Sequence, residues 1–406
     1  MRSRRNRLAV MAFAILAAVP GCGSRVDGSA HPAEIDVRTL DVGNYTTDPL
    51  ETRFHYSPSL HDGLLLAEMR LDGQLVTGPE IDPRLKYGTG AKSFDTPADA
   101  AQILTATSEP VLAAAGMLFG VGTANADQPR PDYGEVPPGS TRTRTIVMQF
   151  PDAAAATRAA ADLERADFQV AADANKPVSL PKYPDAHTHW RPEVPAMGSF
   201  LARGAYVVYA TVAVKDPDAA QLTELVQKVY DAQTPLLDAL PPLDREGILR
   251  QPWDPAGLLR QSLNPNGFGM PDFTSEFASG PRGFLHRIGD QDHWRRVLSD
   301  SKVDAFALSG SAYEGATMMF RAADPQTAHT LWSTILEPAF PGAVDAPPKV
   351  PGARCGEGQS DTLTDKHRYR CAITYRRFVA TVDSDQLADA YQRAAAQYAL
   401  LANSTW

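Results

Sequence analysis

The chain has 406 residues, of which 43% are hydrophobic and 21% are charged, so its composition is that of an ordinary globular protein and its length suits two domains. Its formal net charge is −9, and no cluster of lysine and arginine lies beyond the first few residues. These features argue against broad adhesion to anionic lipid and against a nucleic-acid partner, because nucleic-acid affinity depends on neutralising phosphates.

The N-terminus has the pattern of a bacterial lipoprotein signal. Four arginines precede the apolar run Leu8–Val19, which is too short to span a membrane but suits a signal peptide. The small residue Gly21 then precedes Cys22, the first cysteine. We therefore predict a signal peptide over residues 1–21, a lipid on Cys22 and a flexible tether over residues 22–33.

Cleavage of this signal would remove four arginines and take the formal charge from −9 to −13. Pro20 departs from the usual lipobox, so an ordinary signal cleaved nearby stays open, as does a buried N-terminal helix. A lipid on Cys22 would hold the folded part on the extracytoplasmic face of the cell membrane.

Beyond the signal, the best candidate for a membrane span is Val111–Gly122, which is too short. Its Gly116-x-x-x-Gly120 spacing occurs in pairs of membrane helices. At this length we predict a buried helix of a globular domain instead.

Two further cysteines, Cys355 and Cys371, lie near the C-terminus. In an exported protein such a pair is most simply a disulfide. The alternative is a metal site, for which only His367 lies nearby. We predict the disulfide.

A weak internal repeat occurs at an offset of 170 residues. The strand-like run Thr145–Phe150 is similar to Ala316–Phe320, and Ala210–Val212 is similar to Ala380–Val382. Chance similarity between two alanine-rich stretches is the alternative. Two separate matches at one offset favour a duplication.

Each repeated unit is predicted to run strand, helix, hairpin, helix. Asp152 and Asp324 can cap the first helices, and each closing helix has an apolar stripe of helical period. We predict an α+β fold of two related units, each an antiparallel sheet with helices on one face, loosely ferredoxin-like. The predicted domains are residues 34–240 and 241–406. The lead-in to the first unit, Gly63–Leu71, resembles a strand.

Few patterns in the chain point to chemistry. Tyr87–Ser93 lacks the glycine that a phosphate-binding loop needs before its lysine, and no nucleophile elbow or zinc-protease motif is present. His187 and His189 can point the same way on an extended chain and are weak metal candidates, although their surroundings favour a solvated surface loop. The aromatic loop Phe268–Phe277 is a candidate binding edge. We predict no catalytic residue, no metal site beyond that weak pair and no cofactor.

The chain resembles an uncharacterised family of actinobacterial envelope lipoproteins, with mycobacterial, nocardial and rhodococcal members. The residues that carry the resemblance are the signal with Cys22, the segment Leu40–Tyr45, and Cys355 with Cys371 before the closing helix. The resemblance implies lipidation at Cys22 and the cysteine pair. It implies no activity, because the family has no assigned reaction.

These observations lead to one leading hypothesis and two rivals. The leading hypothesis is a membrane-anchored, non-enzymatic envelope lipoprotein that binds a protein, glycan or lipid ligand in a cleft between its two halves. The first rival is a secreted hydrolase or metalloenzyme that uses the His187 and His189 region. The second rival is a structural or assembly factor of an envelope complex.

Overall fold

A computed structural model describes residues 34–51, 56–131, 135–311, 315–337, 339–358 and 367–404. This part of the chain forms two seven-stranded antiparallel sheets with helices, which confirms the predicted α+β class. Both sheets belong to one compact unit that begins at Asp36. Among the described helices, none has the length and apolar character that a membrane crossing requires.

The first sheet has the strand order β1-β2-β3-β7-β6-β5-β4. Its strands are β1 (Tyr87–Phe94), β2 (Phe119–Ala126), β3 (Arg142–Gln149), β4 (Lys176–Pro177), β5 (His187–Trp190), β6 (Ala196–Arg203) and β7 (Tyr206–Ala213). The accompanying helices are α1 (Leu60–Asp72), α2 (Gly78–Ile81), α3 (Pro97–Ala101), α4 (Glu109–Ala115), α5 (Ala153–Gln169) and α6 (Ala219–Asp238).

The second sheet has the strand order β8-β9-β10-β14-β13-β12-β11. Its strands are β8 (Glu276–Ser279), β9 (Ala305–Ser309), β10 (Thr317–Arg321), β11 (Gly342–Val344), β12 (Ala353–Glu357), β13 (Tyr369–Tyr375) and β14 (Phe378–Ser384). The accompanying helices are α7 (Arg245–Leu249), α8 (Pro281–Leu285), α9 (Gln291–Asp300), α10 (Pro325–Thr334) and α11 (Leu387–Asn403).

The two sheets have the same topology, which supports the predicted duplication. In each, an edge strand is followed by two helices, two adjacent strands, a helix, four more strands and a closing helix. The lead-in of each unit, which shows no visible repeat in the sequence, therefore also repeats. Each unit contains more strands than the predicted strand, helix, hairpin and helix.

The strand register fixes the structural offset at 172 residues rather than the predicted 170. Met148 pairs with Val207 in the first sheet, and Phe320 pairs with Val379 in the second. The helix caps agree, because Asp152 and Asp324 accept the N–H groups of Ala155 and Thr327. Side chains alternate with a period of two, so a shift of two residues keeps the same face. That is why a similarity is visible at 170.

Helices cover both faces of each sheet rather than the one face that the sequence suggests. Alanines of α5 pack in one cluster with Val207 and Ile146, whereas α6 packs in another with Val208 and Val147. Since neighbouring residues of a strand point to opposite faces, α5 and α6 lie on opposite sides of the first sheet.

The predicted disulfide joins Cys355 on β12 to Cys371 on β13, directly opposite each other in the sheet. The equivalent pair in the first sheet is Thr188 on β5 and Ser199 on β6, whose hydroxyl oxygens lie 2.5 Å apart in a hydrogen bond. One cross-strand position is thus closed by a covalent bond in one half and by a hydrogen bond in the other.

The start of the described chain packs against its last helix. Tyr45 donates a hydrogen bond to Asp389 at 2.6 Å and accepts one from Arg393 at 3.0 Å. Val42 and Tyr45 also contact a small core around Leu400. The segment Leu40–Tyr45 therefore binds the N-terminal lead to α11 of the second half.

Two predicted elements differ from the structure. Gly63–Leu71 is not a strand but lies in α1, which begins where Ser59 accepts the N–H of Asp62. Its leucine, alanine, glutamate, methionine and arginine are strong helix formers, and none of its residues is β-branched. Val111–Gly122 is not one helix, because α4 ends before Gly116 and β2 begins at Phe119.

Candidate functional site

The junction between the halves is a continuous apolar core. One cluster includes Leu66 and Met69 of α1, Val121 of the first sheet, and Phe284 and Phe306 of the second half. Because α1 contributes to the cores of both halves, it holds the two sheets in a fixed arrangement.

A buried charged triad crosses this junction. Asp72, at the end of α1, accepts hydrogen bonds from His286 Nδ1 at 2.8 Å and from Arg287 Nη1 at 2.5 Å. The three side chains are 1%, 0% and 5% exposed, respectively. Burial alone would raise the pKa of Asp72, but the charges of Arg287 and His286 hold this pKa below its usual value.

Arg287 is held on all sides. Its guanidinium lies 4.3 Å and 4.0 Å from the ring centres of Phe273 and Phe277, and it also donates to the carbonyls of Gly283 and Phe273. The predicted aromatic loop is therefore not an exposed binding edge, because Phe273 and Phe277 are buried around this arginine.

Two cavities open beside the triad, each lined from both halves. Their volumes are about 510 Å³ and about 460 Å³. Both are lined by Gly73 and Gln74, which follow α1, and by Gly280, which precedes α8, so they meet at these residues. We call the joined space the inter-half cleft. Its position between two related halves is where ligand sites commonly occur.

The lining of the inter-half cleft is rich in cations, although the whole chain is acidic. The charged side chains that line it are Arg70, Arg282, Arg295, Lys302, Arg321, Glu80 and Asp304. Arg321 pairs with Asp304 at 2.7 Å and Arg282 with Glu80 at 2.7 Å. The cations outnumber the carboxylates five to two in this lining, so the described surface of the cleft favours anions.

Glu80 remains ionised in this setting. Burial alone would raise its pKa, but the hydrogen bonds from Arg282 and from the N–H of Thr77 hold that pKa below its usual value. Arg282 is therefore neutralised, whereas Arg70 donates only to the carbonyl of Pro241 and has no carboxylate partner among the described residues.

Two polar groups of the cleft lining have no hydrogen-bond partner in the described part of the chain. They are the indole Nε1 of Trp253 and the hydroxyl of Ser279. Buried polar groups in folded proteins are usually paired. The cleft therefore contains unsatisfied donors beside its positive charges.

The predicted metal candidates lie elsewhere, on β5. The prediction of a solvated loop is wrong, because His187 and His189 lie in an interior strand of the first sheet and point to the face covered by α5. His189 contacts Glu164 at 3.2 Å through Nδ1 and Asp167 at 3.9 Å through Nε2. His187 lines a separate, open cavity of about 450 Å³ beside Phe168. In the described ranges, no group of three or more metal-binding side chains is placed to hold an ion.

Cys22 lies outside the described residues. The residues that line the inter-half cleft are absent from the predicted site residues, since none of them forms a recognisable motif. Only the duplication hinted at this location, because two related halves leave a junction.

Two family models match the chain: Domain of unknown function (DUF7373) N-terminal over residues 54–253, and Domain of unknown function (DUF7373) C-terminal over residues 258–404. No curated protein matches. Among solved structures, the chain is similar to the extracellular domain of PknH from Mycobacterium tuberculosis, with 15% identity over 43% of this chain and 98% of that one. The TM-score of 0.29 is too low to assign a fold or a function.

Proposed function

We propose that this chain, which belongs to the DUF7373 family, is a lipid-anchored protein of an actinobacterial cell envelope that binds a ligand without transforming it. The observation that carries the binding role is the inter-half cleft, which is lined by both halves and holds unpaired polar groups. The support for the anchor is the N-terminal signal pattern that ends at Cys22.

The anchor would place the second half near the membrane. Residues 23–35 separate Cys22 from Asp36, and a fully extended chain of that length reaches at most about 45 Å. The segment that follows packs on α11 through Tyr45. A lipid on Cys22 would therefore tether the protein on the side of its closing helix.

The anchor is tested with the Cys22→Ala variant. We expect the wild-type chain to need detergent for release from broken cells and to carry an acylated Cys22 by mass spectrometry. The variant should be released without detergent or remain uncleaved. An unmodified Cys22 thiol in a freely released wild-type protein would refute the anchor.

The binding role is tested by filling the cleft. Gly280 lines both cavities, its φ is −78°, and a Cβ built on it would meet no atom within 4 Å. Gly280→Trp should therefore be tolerated by the backbone while its ring occupies the point where the cavities meet. Gly280→Ala is the matched control, because it adds one methyl group and leaves the space open.

The readout is native mass spectrometry of full-length protein purified from envelopes in mild detergent. A ligand of constant mass should accompany the wild-type chain and Gly280→Ala, and it should be lost from Gly280→Trp. If the same ligand also accompanies Gly280→Trp, the inter-half cleft is not its site and the proposal fails.

A further inference from the structure

The duplication brings a lysine to a position that the first half gives to glycine. The register relates β2 to β9 by an offset of 186, as from Gly120 to Phe306, which pair with equivalent residues of β3 and β10. Gly116, three residues before β2, therefore corresponds to Lys302, three residues before β9.

Both residues end a helix in the same way. Gly116 N–H bonds to Ala113 and the next N–H to Leu112, and Lys302 N–H bonds to Ser299 and the next N–H to Leu298. This is the Schellman motif, whose left-handed residue is usually glycine. The φ angles are +69° at Gly116 and +48° at Lys302. A lysine there carries conformational strain that glycine avoids.

What Lys302 gains is its place in the inter-half cleft. It lines the 460 Å³ cavity together with Arg282, Arg295, Ser299 and Thr77. Three cations from α8, α9 and the turn after α9 thus surround one space, and Glu80 neutralises only Arg282. Strained residues that persist in a fold are concentrated at functional sites.

The described residues offer Lys302 no ion pair that would explain its presence. Lys302 contributes to the low pKa of Asp324, but the main cause of that low pKa is the N–H of Thr327, which Asp324 accepts as the cap of α10. No carboxylate within salt-bridge distance of Lys302 is found in this part of the structure.

We propose that Lys302 is an anion-binding residue of the inter-half cleft and that the ligand carries a phosphate or carboxylate group. This inference rests on the proposed binding function and names the chemistry of the ligand. The oxyanion would be bound by Lys302 and Arg295, with the hydroxyl of Ser299 close by. The rest of the ligand would extend past Gly280 toward Trp253 in the larger cavity.

Substitution by glycine separates binding from folding. Lys302→Gly removes the charge and relieves the left-handed strain, so we expect its thermal midpoint to be raised by about 2 °C or more. The control is Arg376→Gly. Arg376 has a φ of +52° at the hairpin turn where the first half has Gly204 with a φ of +55°, and it lines neither cavity.

The assay follows the thermal midpoint of the full-length protein in detergent against rising inorganic phosphate or citrate, with sodium chloride at matched ionic strength. A ligand that binds only the folded state raises the midpoint in a saturable way, which yields an apparent dissociation constant. We expect saturable binding of phosphate, citrate or both by the wild-type chain and by Arg376→Gly. Lys302→Gly should bind at least about tenfold more weakly, and Lys302→Glu should not bind.

The outcomes separate the two proposals. If Lys302→Gly binds both anions as well as the wild type, or if chloride alone gives the same response, the anion-binding role is overturned. If Gly280→Trp has lost the co-purified ligand in that case, the cleft remains the site and only its assigned chemistry fails. If the wild-type chain shows no saturable response to either anion, the anion-binding role also fails.

Discussion

Removing Asp72 should destabilise the protein by breaking the triad that crosses the junction. In Asp72→Ala the side chain of Arg287 stays buried without its carboxylate partner, and His286 loses the acceptor of its Nδ1 bond. Loss of one partner of a buried ion pair typically costs 3–5 kcal/mol. Arg287 keeps two backbone carbonyls and two aromatic rings, so we expect about 3 kcal/mol, the lower end of that range.

The measurement is urea unfolding at pH 7 of the wild type, Asp72→Ala, Arg287→Met and the double variant. Since the two residues form one network, the losses of the single variants should not add, and the coupling free energy should be about 2 kcal/mol. A loss below about 1 kcal/mol in Asp72→Ala, or additivity within about 0.5 kcal/mol, would refute the reasoning.

The same triad predicts a pH dependence of defined sign. The pKa of Asp72 is lower in the folded chain than its ordinary value of 3.8. Its contribution to stability is therefore present above pH 3.8 and is lost as the pH falls through the folded pKa. The difference in unfolding free energy between the wild type and Asp72→Ala should shrink below about pH 4. A difference that is constant or grows in acid would contradict this assignment.

Three further predictions follow from the duplication and from burial. Thr188→Cys with Ser199→Cys should form a second disulfide and add on the order of 2–3 kcal/mol, seen as protected thiols and a raised urea midpoint; free thiols in the folded protein would contradict the matched register. Gly116→Lys should cost about 1 kcal/mol of unfolding free energy, whereas no loss would mean that the left-handed turn tolerates lysine without strain. Burial raises the pKa of Glu68 to about 8, against an opposing hydrogen bond from Ser93, so wild-type stability should fall between pH 5 and pH 8 by up to about 1.4 kcal/mol per pH unit. Glu68→Gln should lack this fall in urea titrations, and an equal fall in both chains would rule Glu68 out as its source.

Local patterns in the sequence predicted several features of the fold correctly. The α+β class, the duplication, the caps at Asp152 and Asp324, and the Cys355–Cys371 pair all follow from short stretches whose chemistry is local. An apolar period identifies a helix, and an aspartate before it identifies its start, whatever lies across the core.

The same patterns do not say which side of a sheet a helix covers. Both α5 and α6 have one apolar stripe, and only their packing against alternate residues of β7 shows that they lie on opposite faces. The leucine-rich run in α1 is consistent with a strand or a helix until its contacts with both halves are known. His187 and His189 resemble a solvated loop until β6 is found beside them.

The sequence by itself determined the secondary structure of the repeats, the cysteine pairing and the N-terminal signal pattern, because each depends on residues close together in the chain or on a simple count. Only the tertiary structure decided that two halves share a core, that Asp72 meets Arg287, and that Lys302 occupies a left-handed turn beside a cleft. These features join residues more than 200 positions apart, and no short-range pattern records which distant surfaces will be buried against each other.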